Sequence, residues 1–171
     1  VAYTHNRKRY FAQLLVFAVI SEVPWYLLNG SDGTHNVMFT LTLGVVALAI
    51  LEKVKENSIL CGVAILLIAC FATWSGVDYE WRGILIIVVL NLLRNQSPTL
   101  PYPYGRMVQI LCAFPLMMHY GSIGAILACA VLFLYDGTRG FIKGNAAKYG
   151  FYAFYPVHLL LIWCVITSLA R

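Results

Sequence analysis

Residues 10–28 read Tyr10-Phe11-Ala12-Gln13-Leu14-Leu15-Val16-Phe17-Ala18-Val19-Ile20-Ser21-Glu22-Val23-Pro24-Trp25-Tyr26-Leu27-Leu28. A helix needs about 20 predominantly apolar residues to cross a bilayer, and this stretch meets that length with a single carboxylate inside it. The rest of the chain has the same character. Hydrophobic residues make up 61% of the 171 and charged residues 11%, against about 45–50% and about 25% in soluble domains. A water-soluble fold of this size leaves too much of its surface exposed to hide that apolar content. The composition therefore predicts an all-α, polytopic transmembrane bundle, formed as a single domain over residues 1–171.

Seven apolar segments follow, each with a physical reason to stop. The first, Tyr10 to Leu28, ends at the turn Asn29-Gly30-Ser31-Asp32-Gly33. The second, Asn36 to Leu51, runs into the charges of Glu52-Lys53-Val54-Lys55-Glu56. The third, Ser58 to Trp74, ends at Ser75-Gly76, and the fourth, Trp81 to Leu93, at Arg94. Prolines 98, 101 and 103 then exclude a helix, because proline has no amide donor. The fifth and sixth, Met107 to His119 and Ile123 to Tyr135, meet at Gly121; the seventh spans Phe151 to Ala170. Segments one, three and seven are long enough to span and two comes close. Five and six are short, either thin spans or a re-entrant hairpin shielded from lipid by protein.

If the chain crosses at each segment and residues 5–9 lie in the cytoplasm, ten of the twelve Lys and Arg residues fall on the cytoplasmic side. These are Arg7, Lys8, Arg9, Lys53, Lys55, Arg94, Arg106, Arg139, Lys143 and Lys148; only Arg82 and Arg171 fall opposite. Short-loop Lys/Arg bias sets orientation, so this reading places the N-terminal turn inside. The net charge of +5 is thus topological, and no nucleic-acid partner is expected. The five cysteines lie within apolar stretches without paired spacing and read as packing residues.

Ionisable groups within a span are costly and mark candidate sites. Glu22 lies about 18 Å into the first segment. It is either part of a functional cavity or a structural partner of Asn36 or Arg82. His158, in Phe154-Tyr155-Pro156-Val157-His158, lies about 10 Å into the seventh. Its side chain suits proton transfer near neutrality; the alternative is an interhelical hydrogen bond. Asp78-Tyr79-Glu80-Trp81-Arg82 mixes carboxylates, aromatics and a cation at one interface, where Trp81 reads as an anchor. His35 and His119 lack metal-ligand spacing, so no metal is expected. The loop Tyr135-Asp136-Gly137-Thr138-Arg139-Gly140, with Arg7, Arg9 and Arg106, suits phosphate groups, while anionic lipid headgroups would attract the same charges.

Several of these landmarks fall in order along nearly the whole chain: Asn6-Arg7-Lys8-Arg9-Tyr10, Ile20-Ser21-Glu22-Val23-Pro24, Asn36-Val37-Met38-Phe39-Thr40-Leu41-Thr42-Leu43-Gly44, Asp78-Tyr79, Tyr135 to Gly140, and Phe154 to His158. Each is short, but together they resemble the TraX family, the polytopic proteins related to the F-pilin acetylase. The resemblance implies a bacterial inner-membrane acetyltransferase. It would use acetyl-CoA as co-substrate and an amine or hydroxyl acceptor, such as the N-terminus of a pilin. Carried over by position, it makes Glu22 and His158 catalytic candidates, with His158 as the base and Glu22 orienting it or acting from the other side of the cavity, and Arg7, Arg9 and Arg139 the candidate holders of the CoA phosphates. It also nominates Asn36, Asp78, Tyr79 and Tyr155 as substrate-binding residues. Members of the family carry a further hydrophobic stretch with an Asp-His pair upstream of where this chain starts. On that resemblance the chain is expected to begin downstream of its natural N-terminus.

Two rival readings use the same residues. A small proton-coupled transporter would employ Glu22 and His158 as a relay, but transporters usually show internal repeats and none is evident here. A non-enzymatic subunit would pack against a larger partner.

Overall fold

The computed structural model describes residues 6–96, 104–135 and 144–169. Among them are seven α-helices and no strand: α1 Arg7–Asn29, α2 Val37–Val54, α3 Ser58–Trp74, α4 Glu80–Gln96, α5 Tyr104–Met118, α6 Ser122–Leu134 and α7 Asn145–Leu169. The all-helical expectation holds. The proline-rich loop, Arg139 and Lys143 lie outside the described residues.

Asparagine starts three of the helices. Asn6, Asn36 and Asn57 each accept from a main-chain N–H of the first turn: Arg9, Met38, and both Ile59 and Leu60. These caps satisfy donors that the helix itself leaves open. α1 stops at Gly30, whose φ of 75° lies in the left-handed region that favours glycine.

Three helices are long and apolar enough to cross a membrane: α1, α2 and α7. The third segment forms the expected helix, Ser58–Trp74, whose 17 residues put it at the lower limit of the spanning range and not comfortably inside it. α2 is longer than expected, because it continues through Glu52, Lys53 and Val54 to reach 18 residues. Charged residues are good helix formers and continue a helix past the edge of the apolar region. α5 and α6, with 15 and 13 residues, are as short as their sequence implied.

α7 packs on α1, α1 on α2, α2 on α4, α4 on α5 and α5 on α6, while α3 lies against both α2 and α4. Two apolar clusters hold this row together. One joins α2, α3 and α4 through Ala47, Leu51, Ala72, Ile84 and Val88. The other joins α1 and α2 through Leu14, Ala18, Met38 and Val45, with Tyr152 and Tyr155 of α7 closing over it. Ala18, Ala47 and Ala72 have no exposed surface, and such small contact residues let membrane helices approach closely. Facing outward are large apolar side chains such as Val16, Val19, Ile59, Leu66, Leu161 and Val165. A soluble monomer rarely shows so continuous an apolar exterior; for a bilayer it is the expected lipid face. The chain is a membrane protein.

The ends of the helices opposite the N-terminus are uneven, and this creates the site. α1 continues for seven residues past Glu22 to Asn29, about 10 Å of helix. The following segment turns back along it. Trp25 Nε1 donates to the carbonyl and the hydroxyl of Thr34, both at 3.2 Å, so the chain has already descended several residues' depth before α2 begins. The α3–α4 connection meets it there. His35 N–H donates to the Gly76 carbonyl and Asp78 N–H to the His35 carbonyl, each at 2.8 Å, a single parallel bridge between His35 and Val77. Gly76 permits this approach: a Cβ on it would lie 2.6 Å from the Gly33 carbonyl oxygen, and its φ is +65°.

Candidate functional site

The recessed turn carries His35 and Asn36 down to the level of Glu22. His35 Nδ1 lies 2.5 Å from Glu22 Oε1, and Asn36 Nδ2 donates to Glu22 Oε2 at 2.6 Å and to the Ala18 carbonyl at 2.9 Å. Asn36 Oδ1 accepts from Met38 N–H at 3.0 Å. Asn36 therefore performs two tasks, capping α2 and fixing the carboxylate on α1, and it has no exposed surface. An ionised carboxylate only accepts, so the pairing makes His35 Nδ1 the donor, and in the neutral imidazole Nε2 is then the acceptor. The Glu22 and His35 side chains remain 32% and 48% exposed, open to anything that enters the recess. A carboxylate orienting an imidazole is the arrangement that serves general-base chemistry on many folds.

Asp78 and Tyr79 border the same recess. Burial pushes the Asp78 carboxyl up from its ordinary range, opposed by the hydrogen bond it accepts from Tyr79 N–H, at 3.0 Å. Burial and the neighbouring Asp78 raise the Tyr79 phenol as well. Tyr79 and Glu80 have φ values of 66° and 42°, a conformation that bulky residues adopt only when their surroundings impose it. Here Thr40 donates to the Asp78 carbonyl, and Tyr120 donates to the Tyr79 carbonyl at 3.0 Å. The Tyr79 and Tyr120 rings meet at 4.4 Å. From α7, the Tyr155 phenol meets the Val37 main-chain amide and lies within electrostatic range of Asp78, Tyr79 and Glu22. Beyond Thr40 and Tyr79 a largely apolar cavity of about 320 Å³ opens between α2, α4 and α6.

The structure thus brings together Glu22, Asn36, Asp78, Tyr79 and Tyr155, five of the residues singled out in the sequence. It joins His158 to them only through Tyr155, whose ring lies 5.6 Å from the imidazole, and not to Glu22. His158 Nδ1 bonds the Tyr155 carbonyl of its own helix at 2.8 Å, and its ring stacks on Phe154, whereas the hydrogen-bond partners of Glu22 are His35 and Asn36. Arg82, the other partner considered for Glu22, instead lies 3.4 Å from Glu80 and over the Trp81 ring. His35, set aside in the sequence for lack of ligand spacing, is the histidine at the centre. Its one signal was adjacency to Asn36 after a glycine-rich turn. Among the described residues no three His, Cys, Asp or Glu side chains converge as metal ligands do.

At the opposite end, Arg7 and Arg9 face different ways, as residues two apart on a helix must. Arg7 pairs with Glu52 of α2. Arg9 lies at the Tyr149 hydroxyl of α7, beside Lys148, where Gln13 also donates to Tyr149 at 3.3 Å. The two arginines do not share one anion, and Arg139 lies outside the described residues.

The TraX protein family matches the chain over residues 1–166. A protein described as "Probable fimbrial assembly protein FimC, serogroup H1", from Dichelobacter nodosus, is 28% identical over 185 aligned residues, covering 94% of this chain and 72% of that protein. No solved structure matches. With the family match running from the first residue through most of α7, the chain belongs to the TraX family.

Proposed function

We propose that this membrane protein is an acetyltransferase that moves an acetyl group from acetyl-CoA to an amine or hydroxyl, with the N-terminal amine of a fimbrial subunit as the acceptor class. The observation that carries the reading is the Glu22–His35 pair, held by buried Asn36 inside a recess that is accessible from one end. The relative's description as a fimbrial assembly protein supports a pilin-associated role, and the basic residues support an orientation with Arg7, Arg9 and Lys53 facing the cytoplasm of the bacterial inner membrane.

In this mechanism His35 Nε2 takes the proton from the acceptor nitrogen as that nitrogen attacks the thioester carbonyl carbon. Glu22 holds the imidazole tautomer and stabilises the imidazolium that forms. Tyr155, whose oxygen meets the Val37 amide, keeps its own O–H to donate to the carbonyl oxygen as charge develops there. The carbon–sulfur bond then breaks, and His35 returns the proton to the departing thiolate. Arg9 and Lys148, beside each other at the α1–α7 end, serve the nucleotide phosphates together with Arg139. Arg9 lies thirteen residues before Glu22 on the same helix, about 20 Å away.

Transfer of labelled acetyl from acetyl-CoA to an amine acceptor by the purified protein tests the reading. His35→Ala is expected to lower turnover about 10²–10⁴-fold with an unchanged melting temperature, and His158→Ala much less. The reverse ranking would move the base to His158. A wild-type protein that neither binds acetyl-CoA nor transfers acetyl would end the enzyme reading.

A further inference from the structure

At the basic end, on the outer side of the α1–α2 pair, a second cavity of about 260 Å³ is walled by apolar side chains including Phe11, Val46 and Ala49 and rimmed by Arg7, Lys8 and Lys53. It is formed by α1 and α2 alone, with no part of the Glu22 recess in its lining. From Lys53 at its mouth to Val45 at its floor is eight residues of α2, or about 12 Å of depth below the membrane surface. Of the three cations at the rim, Arg7 is already engaged by Glu52. Lys8 and Lys53 have no carboxylate partner among the described residues. Long basic side chains near a helix end extend their charge to the interface while their stems lie on apolar surface.

We infer that this groove is a binding site for an anionic phospholipid of the surrounding leaflet, with one acyl chain against Phe11, Val46 and Ala49 and the phosphate headgroup held by Lys8 and Lys53. Three features point to that occupant. The wall is apolar and laterally open, so it is reached from the bilayer. The free charge at its mouth is positive, and clustered cations at a membrane surface recruit anionic headgroups. Its depth fits the upper part of a hydrocarbon chain, whereas a soluble phosphate compound would leave the apolar wall uncovered. The site is independent of acetyl transfer and stands or falls separately from it.

The full chain, reconstituted in nanodiscs of equimolar phosphatidylglycerol and phosphatidylcholine and then released into mild detergent, supplies the test by native mass spectrometry. The wild-type protein is expected to retain phosphatidylglycerol in preference to phosphatidylcholine. Lys8→Gln with Lys53→Gln should reduce that preference about fivefold per cation removed. Ala49→Trp, which fills the wall and leaves the cations in place, should lower the retained lipid of either headgroup. Equal retention of the two lipids by the wild type would overturn the proposal. So would an unchanged preference in the lysine variant, unchanged retention in Ala49→Trp, or displacement of the bound phosphatidylglycerol by free CoA. If the double variant does not fold, the wild-type and Ala49→Trp measurements decide the question.

Discussion

The two charged regions of this protein are built on opposite terms. In the recess, Asn36 is fully buried and spends its amide on three partners across α1 and α2. At the basic end, Arg7 and Glu52 meet as a pair with side chains 45% and 53% exposed. Both look alike as sequence, polar residues near the limits of apolar segments. Their energetics differ because a buried polar group that loses its partner bears its full desolvation cost, about 1–3 kcal/mol each, while an exposed pair is solvated with or without its partner. A polar group in the recess is therefore positioned, and one at the basic end is available. The first property suits chemistry on a bound substrate, the second suits recruitment of anions.

Substitutions sharpen that contrast. The largest effect is expected from Asn36→Ala, which removes the α2 cap and one of the donors that the Ala18 carbonyl and Glu22 each have. A loss of about 2 kcal/mol follows from a cap worth about 1 kcal/mol and two hydrogen bonds lost at acceptors that keep another partner. Denaturation in mixed micelles measures it, and a loss below about 1 kcal/mol would mean that the network is not a structural keystone. Asp78→Asn should act more gently and with a pH signature. Burial raises the native carboxyl above the ordinary value of 3.8, so the folded state binds its proton more tightly. Stability from this group is complete below that pH and is lost as pH rises through the native value. The melting temperature of Asp78→Asn relative to wild type should accordingly climb as pH rises above the ordinary value of 3.8; a pH-independent difference would contradict the burial argument. The smallest effect is expected at the basic end, where Glu52→Gln frees an exposed arginine and should leave the melting temperature unchanged within error. A clear drop there would show that Arg7–Glu52 fastens α1 to α2 and would erase the distinction between the two regions.

Much of this was legible in the sequence. The seven helices follow the seven apolar runs, stopping near Gly30, Gly76 and Gly121 and running on past Glu52 and Arg94, because lipid leaves a chain no other way to satisfy its backbone. Glu22 stood out because a carboxylate in an apolar run needs a reason. Asn36, Asp78, Tyr79 and Tyr155 were nominated with it, though nothing in their spacing said that they would meet. His35 was passed over, since its role depends on the turn after Gly30 folding back beside Trp25 rather than lying at the membrane surface. Arg7 and Arg9 were grouped because they are neighbours in sequence, yet the 3.6-residue period of the helix sends them to different partners.

What the sequence by itself determined is the solvent and the building blocks: a bilayer, seven helices and a short list of polar residues too costly to be idle. These follow from local composition, which length and hydrophobicity express directly. Only the tertiary structure decided which histidine Glu22 meets, because that rests on contacts between residues 13, 56 and 133 positions away from it, among them His35, Asp78 and Tyr155. Such contacts arise from helices of unequal length and from a glycine that lets two loops touch, and no local pattern encodes them.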